Sequence, residues 1–365
     1  MIVGVPREVK EEEYRVAITQ SGVSALTGRG HKVLIEKDAG LESGITDADY
    51  EEAGAKMVPS GKDVWEGAEF ILKVREPEGL ELDMLSGHLI FSYLHLAANE
   101  PLTKMLLKEK VTAIAYETVE TKEGYLPLLA PMSQVCGRLS IQVGAYGLER
   151  TNGGSGVLLS GVAGVAPAKV TIIGGGVAGF NAAQVAVGMG AEVFLIGISP
   201  AKLKYTGDML RGRAVTVMSN SANIEEHILD ADLVVGAALI PGAKTPLLMS
   251  RDLVSRMKPG SVIVDLSIDQ GGLAETSRPS SHKNPFYKDE GVIHYAVPNM
   301  PGAVPRTSSF ALSGDNSTYV LEICDKGFEG AIGDNPDLKR GVNVHNGSVT
   351  HKGVAEALGL DLTEP

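Results

Sequence analysis

Val170-Thr171-Ile172-Ile173-Gly174-Gly175-Gly176-Val177-Ala178-Gly179 is the stretch that decides the fold. Its first four residues are apolar or β-branched and read as a buried strand, and the residues after Gly176 take up a helical pattern to position 187. Gly174, Gly176 and Gly179 fall at the GxGxxG spacing between the two. Glycine turns are common, so the spacing alone says little. Closing an apolar strand and opening a helix within a βαβ unit, it is the fingerprint of a dinucleotide site. The first glycine makes the tight turn, the second lets backbone approach a pyrophosphate, and the third lets helix and strand pack closely. The helix N-terminus supplies amide donors, with Val177 and Ala178 in the contact zone.

Outward from this stretch the same alternation continues. Downstream, residues 193–196, 215–218, 233–237, 262–265 and 292–296 read as strands, with a helix over 222–230. Upstream, residues 2–5, 32–36, 70–74, 89–92 and 112–115 read as a second set of buried strands, with helices between them over 22–27, 48–53 and 102–109. Thr19 or Ser21, Asp47, and Pro101 as a first-turn proline provide the helix starts. Strands separated by helices imply parallel sheets. A helix from Pro131, with Val135, Leu139, Val143 and Leu148 at helical spacing, joins the two sets and ends at Thr151-Asn152-Gly153-Gly154. A helix over 307–328 leaves the second set, and the chain from Gly333 is polar and weakly patterned.

Composition narrows the class. The 365 residues carry 33 Lys+Arg against 45 Asp+Glu, a formal charge of −12, which disfavours phosphate-backbone binding and hence nucleic acid as a partner. At roughly 100 to 200 residues per domain, two domains are expected. Cys136 and Cys324 stand far apart and outside any metal-ligand spacing, so neither a disulfide framework nor a metal site is suggested. Two free thiols in a reducing cytosol is the plain reading. The N-terminus reads as a strand rather than a signal peptide, and no apolar run is long enough to span a membrane. Glycine is the anomaly, 44 residues or about 12% against a usual 7% or so.

The dinucleotide motif also predicts a carboxylate at the end of the second strand, where it would hold the adenosine ribose. That strand ends Phe194-Leu195-Ile196-Gly197-Ile198-Ser199. Glu192 lies at its wrong end. Without the carboxylate nothing repels a 2′-phosphate, and Ser199, Lys202 and Lys204 follow to receive one, so NADP stands beside NAD as an expected cofactor.

Several segments together carry a resemblance: Gly4-Val5-Pro6-Arg7-Glu8, Glu13-Tyr14-Arg15-Val16-Ala17, Tyr93-Leu94-His95-Leu96-Ala97-Ala98, Ala115-Tyr116-Glu117-Thr118-Val119, Asp269-Gln270-Gly271-Gly272 and Pro298-Asn299-Met300-Pro301-Gly302-Ala303-Val304-Pro305. In order and over nearly the full length, the chain resembles bacterial alanine dehydrogenases. The related soluble nucleotide-binding part of nicotinamide nucleotide transhydrogenase is the nearest competitor, and the His95 and Asp269 segments favour the dehydrogenases.

The resemblance implies an α/β fold of two Rossmann-like domains with a cleft between them. A dinucleotide-binding domain over 134–302 would be inserted into a discontinuous substrate domain, 1–133 plus 303–365. It implies reversible oxidative deamination of L-alanine to pyruvate and ammonia by a cytoplasmic homohexamer. His95 and Asp269 would be catalytic, the histidine as general acid/base and the carboxylate orienting ammonia or water and stabilising the iminium. Arg15, Met132 and Asn299 would meet the substrate. Ser133, Ser219, Ala237, Leu239, Val297 and Met300 would meet the dinucleotide with the glycines. Read without the resemblance, Arg15 is a solvated residue of a charge run, His95 a satisfied buried histidine and Asp269 a turn-former before Gly271.

Three positions depart from the family. Gly197 replaces its aspartate. Lys73-Val74-Arg75-Glu76-Pro77 carries Arg75 where the family has its substrate lysine, and a planar fork is not equivalent to an ammonium. A substrate with a second anionic group is therefore expected as an alternative to alanine. Gly314-Asp315-Asn316 replaces an Asn-Ala-Thr segment. The competing functions are a nucleotide-binding or sensing relative without turnover, and an imine or opine-type reductase.

Overall fold

The computed structural model describes residues 1–238 and 245–365. The chain divides into two compact units, one formed by Met1–Met132 with Val304–Pro365, the other by Ser133–Ala303. Each is built on a predominantly parallel sheet flanked by helices. Among the described residues the first sheet has eight strands and the second has seven.

In the first unit the strands are β1 (Ile2–Val5), β2 (Lys32–Glu36), β3 (Lys56–Val58), β4 (Phe70–Leu72), β5 (Leu89–Ser92), β6 (Thr112–Ala115), β14 (Val342–His345) and β15 (Ser348–Val349). They lie in the order β15-β14-β6-β5-β4-β1-β2-β3. The central strands are apolar throughout, as sheets covered on both faces require, and their side chains form two cores that include Val5, Phe70, Phe91 and Ile71, Ile90, Ala113. The polar chain after Gly333 is not loose. It supplies β14, which pairs antiparallel with β6, and β15, which pairs antiparallel with β14. The expected helix over 307–328 runs from Pro305 to Asp334 with a break at Gly327, whose φ of 73° is left-handed. Thr46, not Asp47, caps the helix Asp47–Glu52 through a reciprocal box with Asp49. Thr19 precedes the helix Gln20–Thr27, but its hydroxyl bonds Ser21 and Ser313 instead of capping.

In the second unit the strands are β7 (Lys169–Ile173), β8 (Glu192–Gly197), β9 (Ala214–Met218), β10 (Leu233–Gly236), β11 (Val262–Asp265), β12 (Phe286–Asp289) and β13 (Val292–Tyr295). Their order is β12-β13-β11-β10-β7-β8-β9, all parallel except β12. Chain order reverses between β10 and β7, so the turn after β7 stands at the switch point where open α/β sheets bind ligands. A helix Pro200–Met209 joins β8 to β9, a connection the sequence pattern did not single out. The helix Ala130–Gly147 contains the step between units at Met132 and Ser133.

Candidate active site

In the first unit four neighbouring strands release their chains at one edge. Glu8 follows β1, Arg75 follows β4, His95 follows β5 and Glu117 follows β6, the strands lying β6-β5-β4-β1. His95 is not the buried histidine of its isolated reading. Its side chain is 46% exposed and its backbone is left-handed, with φ 51°. Glu117 fixes that turn: one of its oxygens accepts the His95 N–H at 2.6 Å and the carboxylate also accepts the Leu94 N–H at 3.1 Å. Nδ1 of His95 lies 4.0 Å from the same carboxylate, and the ring stacks on Tyr93 with centroids 6.4 Å apart. Tyr93 is anchored in turn by donating to the Leu128 carbonyl at 2.5 Å.

Arg15, expected on a solvated face by its isolated reading, is 3% exposed. Glu13 makes that burial tolerable by accepting Nε at 2.7 Å and the terminal nitrogen at 2.6 Å, while the other terminal nitrogen donates to the Met132 thioether at 3.2 Å. Burial opposes the guanidinium charge, but the Glu13 pair more than offsets it and raises the Arg15 pKa. Met132 is thus brought against Arg15. Arg75 sits with Nε 3.0 Å from Glu76, which also holds Lys10 at 2.5 Å.

Beneath Arg75 lies a group the motif reading did not single out. Lys73 is fully buried, 2.7 Å from Glu81 and 3.3 Å from Glu8. Glu8 also accepts the Val74 N–H at 2.7 Å and the Arg75 N–H at 3.3 Å. Burial pushes the Glu8 carboxyl up to about 7, against the opposing pull of Lys73. Glu8, Glu13 and Glu117 stand within the quoted motifs. What marks them is burial beside a cation or a strained turn, which spacing does not display.

In the second unit the glycines divide by role. A side chain at Gly174, whose φ is 119°, would overlap the Ala237 carbonyl, and one at Gly179 would overlap the Gly174 carbonyl. At Gly176 a Cβ would meet nothing within 4 Å. That open space lies over the start of the helix Val177–Gly188, which no side chain caps. Its first-turn amides are therefore available to an anion, and the cradle fits a pyrophosphate. Gly137 completes the arrangement. Only a residue without a side chain lets the helix Ala130–Gly147 pass against the Ala178 carbonyl, so Ser133, one turn earlier on that helix, is held near the same turn.

The other expected contacts line the carboxyl edge of this sheet: Gly197 ends β8, Ser219 follows β9, Ala237 follows β10 and Val297 follows β13. Ser219 donates its N–H to the Gly197 carbonyl at 2.9 Å, and Ala237 to that of Ile173 at 2.8 Å. Leu239 lies outside the described residues. Ser199 caps the helix Pro200–Met209 and Lys202 is exposed on its first turn, whereas Lys204 pairs with Asp208 at 2.5 Å. Asn299 has left-handed backbone with φ 58°, and Met300 is buried. Asp269 is exposed in the short 3-10 turn Ile268–Gln270, so it does occupy the turn of its isolated reading. Buried Asp265 holds the base of that loop, accepting the Ser267 N–H at 3.0 Å, the Leu273 N–H at 2.8 Å and the Ser277 hydroxyl at 2.6 Å. Of the segment Gly314-Asp315-Asn316, the first two residues are exposed, while Asn316 points inward in the first unit, donating to the Ala17 carbonyl at 3.0 Å and to Tyr116 at 3.2 Å.

Two family profiles cover nearly the whole chain. The profile described as "Alanine dehydrogenase/PNT, N-terminal domain" matches residues 4–136, and that described as "Alanine dehydrogenase/PNT, C-terminal domain" matches residues 140–352. The chain belongs to the alanine dehydrogenase/PNT family. Within the family it is 51% identical over 365 residues to a protein named alanine dehydrogenase from Halomonas elongata, across 100% of this chain and 98% of that one. A solved structure titled L-alanine dehydrogenase superimposes with a TM-score of 0.95 at 47% identity, covering 98% of this chain and 99% of the other. A transhydrogenase structure from Sinorhizobium meliloti gives a TM-score of 0.82 at 27% identity, covering 96% and 100%. Similarity is greater on the dehydrogenase side of the family. The two Rossmann-like units, one nested in the sequence of the other, are the architecture this membership implies. Among the described residues no helix is long and apolar enough to cross a membrane.

Proposed function

We infer that the chain is an NAD-dependent amino-acid dehydrogenase interconverting L-alanine with pyruvate and ammonia. The observation that carries the reading is one chain with an open-faced glycine turn at a sheet switch point and, on its other sheet, an exposed histidine released beside the strand that leads into Arg75. The unit Ser133–Ala303 is assigned the dinucleotide and the other unit the substrate. The turn from Gly174 to Gly179 would hold the pyrophosphate through the amides of Val177 and Ala178, with Ser133, Gly197, Ser199, Lys202, Ser219, Ala237, Val297 and Met300 supplying the remaining contacts. The bound dinucleotide accepts or supplies the hydride.

Arg15 and Arg75 would hold the substrate carboxylate, with Met132 and Asn299 shaping the space for a methyl group. His95, with Nδ1 directed at Glu117, would use Nε2 to give or take the proton at the substrate oxygen. Asp269 would orient ammonia or water and stabilise the cationic imine. Glu76 already shares the charge of Arg75, which favours pyruvate, a monoanion, over a 2-oxo acid with a second anionic group. The absence of a carboxylate at Gly197 supports use of NADPH alongside NADH. Two cysteines far apart in the sequence and outside any metal-ligand spacing fit a reducing cytoplasm, and a hexamer is the assembly expected from the family resemblance.

A matrix assay tests the reading: oxidation of NADH and NADPH with ammonium and a panel of 2-oxo acids. Turnover requiring both ammonium and pyruvate, at highest kcat/KM for pyruvate, is expected. Cofactor fluorescence change without turnover would mark a binding protein, and preference for larger amines a reductase of the imine or opine type. Failure of NADPH to support turnover would remove the 2′-phosphate proposal alone.

A further inference from the structure

The turn that carries Asp269 is tied to the glycine turn through one short stretch of chain, and Ser267 is the pivot. Its carbonyl accepts the Gln270 N–H at 2.9 Å and the Gly272 N–H at 3.0 Å, closing the 3-10 turn Ile268–Gln270 on itself. Its own N–H donates to Asp265 at 3.0 Å, and its hydroxyl donates to the Ala238 carbonyl at 2.6 Å. On the far side of the turn the Gln270 carbonyl accepts the Thr245 N–H at 3.0 Å. Ala238 in turn adjoins Ala237, whose N–H donates to the Ile173 carbonyl, and the backbone of these two alanines fills the place a Gly174 side chain would take. The Ala237-Ala238 backbone therefore touches the glycine turn on one side and the Asp269 turn on the other.

Asp265 holds the pivot from below. Both of its oxygens are engaged, Oδ1 by the Ser267 N–H and Oδ2 by the Leu273 N–H at 2.8 Å and the Ser277 hydroxyl at 2.6 Å. Two of these donors stand at the start and the end of segment 267–273, so one carboxylate clamps the loop at its base. A Cβ at Gly272 would come 2.9 Å from Oδ2, so that glycine leaves the room the carboxylate needs. Asp265 and Ser267 are buried, whereas Asp269 is exposed. Buried, satisfied polar groups hold one arrangement rather than several, and here the arrangement they hold is that of an exposed carboxylate.

We propose that Ser267 and Asp265 are positioning residues for the reaction, fixing the Asp269 carboxylate in register with the dinucleotide turn through the Ser267 bond to Ala238. The proposal rests on the reading of Asp269 as the group that orients ammonia or water. Closing the loop requires only the Asp265 clamp and the bonds to the Ser267 carbonyl. The hydroxyl bond to Ala238 adds something else: it joins the loop after β11 to the end of β10, and so to the turn after β7. Displacement of a reacting group by about 1 Å costs on the order of 100-fold in rate, which is the precision this bond supplies.

A double-substitution cycle, read as steady-state amination of pyruvate at saturating NADH, tests the coupling. Ser267→Ala removes one hydroxyl and should lower kcat/KM for ammonium about 10-fold, with the NADH Kd within about three-fold of wild type and folding checked by thermal melting. Asp269→Asn should lower the same ratio roughly 100-fold or more. Added to Asp269→Asn, Ser267→Ala should then change it by less than about two-fold, because a residue that acts through Asp269 has nothing left to position. General loosening of the fold would instead multiply the two losses. Ser277→Ala, which takes one donor from Asp265, runs the same cycle with a smaller loss if Ser267→Ala does not fold. Multiplying losses, wild-type ammonium kinetics in Ser267→Ala, or an NADH Kd weakened about 10-fold or more overturns the positioning role and leaves the reading of Asp269 standing. Wild-type turnover by Asp269→Asn overturns that reading and the positioning role with it.

Discussion

Gly176→Ala separates a structural turn from a pyrophosphate cradle. The residue has φ −81° and ψ −166°, which any residue adopts, and an added Cβ meets nothing within 4 Å. Alanine is a poorer helix N-cap than glycine by roughly 0.5–1 kcal/mol, but it reduces unfolded-state entropy by about 0.4–1 kcal/mol. The two nearly cancel, so stability should change by less than about 1 kcal/mol. Binding should not be spared. The methyl occupies the space over the uncapped helix start and removes at least one amide hydrogen bond to a charged oxygen, a loss of about 1.5–3 kcal/mol. That corresponds to roughly a 10- to 150-fold weaker Kd. Quenching or enhancement of NADH fluorescence gives the Kd, and thermal or urea unfolding gives the stability. Gly179→Ala is the contrast: its Cβ would overlap the Gly174 carbonyl, so it should lose stability and binding together. A folded Gly176→Ala protein that binds NADH with wild-type affinity would refute the assignment of this turn to the pyrophosphate.

Three further outcomes are expected. Gly197→Asp places a Cβ 3.1 Å from Leu203 Cδ2, which the leucine accommodates by a small shift; the restored carboxylate should lower kcat/KM for NADPH by at least about 10-fold relative to NADH. His95→Gln alters an exposed side chain, so dinucleotide affinity should stay within about two-fold while kcat falls roughly 10²- to 10⁴-fold, measured by steady-state amination of pyruvate. Lys73→Met removes the cation from between two buried carboxylates and should cost about 3–5 kcal/mol at pH 8 by urea unfolding. The sign of its pH dependence follows from Glu8: a carboxyl raised to about 7 when folded contributes stability present in full below pH 4.5 and lost as pH rises through 7. The variant should therefore recover toward wild type at pH 5.5, and a deficit independent of pH would contradict the charge argument.

The strands that frame the glycine turn were legible because apolar runs and glycine spacing are local signals of the same backbone geometry. β14 and β12 were not. Both are short antiparallel additions beyond the main run of parallel strands, and neither stands out from the polar sequence around it. The site was legible by residue but not by environment. Arg15 looks solvated beside three glutamates until Glu13 is seen to fold back onto it, and His95 looks buried at the end of an apolar strand until the left-handed turn on Glu117 brings it out.

By itself, then, the sequence determined the glycine turn, because GxGxxG encodes what each backbone position must do and the demand is met within ten residues. Gly197 and Arg75 were equally plain as substitutions. Only tertiary structure decided the charge environment around Arg15 and Lys73. Glu8 and Val74 are 66 positions apart and Lys73 meets carboxylates from two segments. Desolvation and charge pairing depend on what folds around a group, and no local pattern records that.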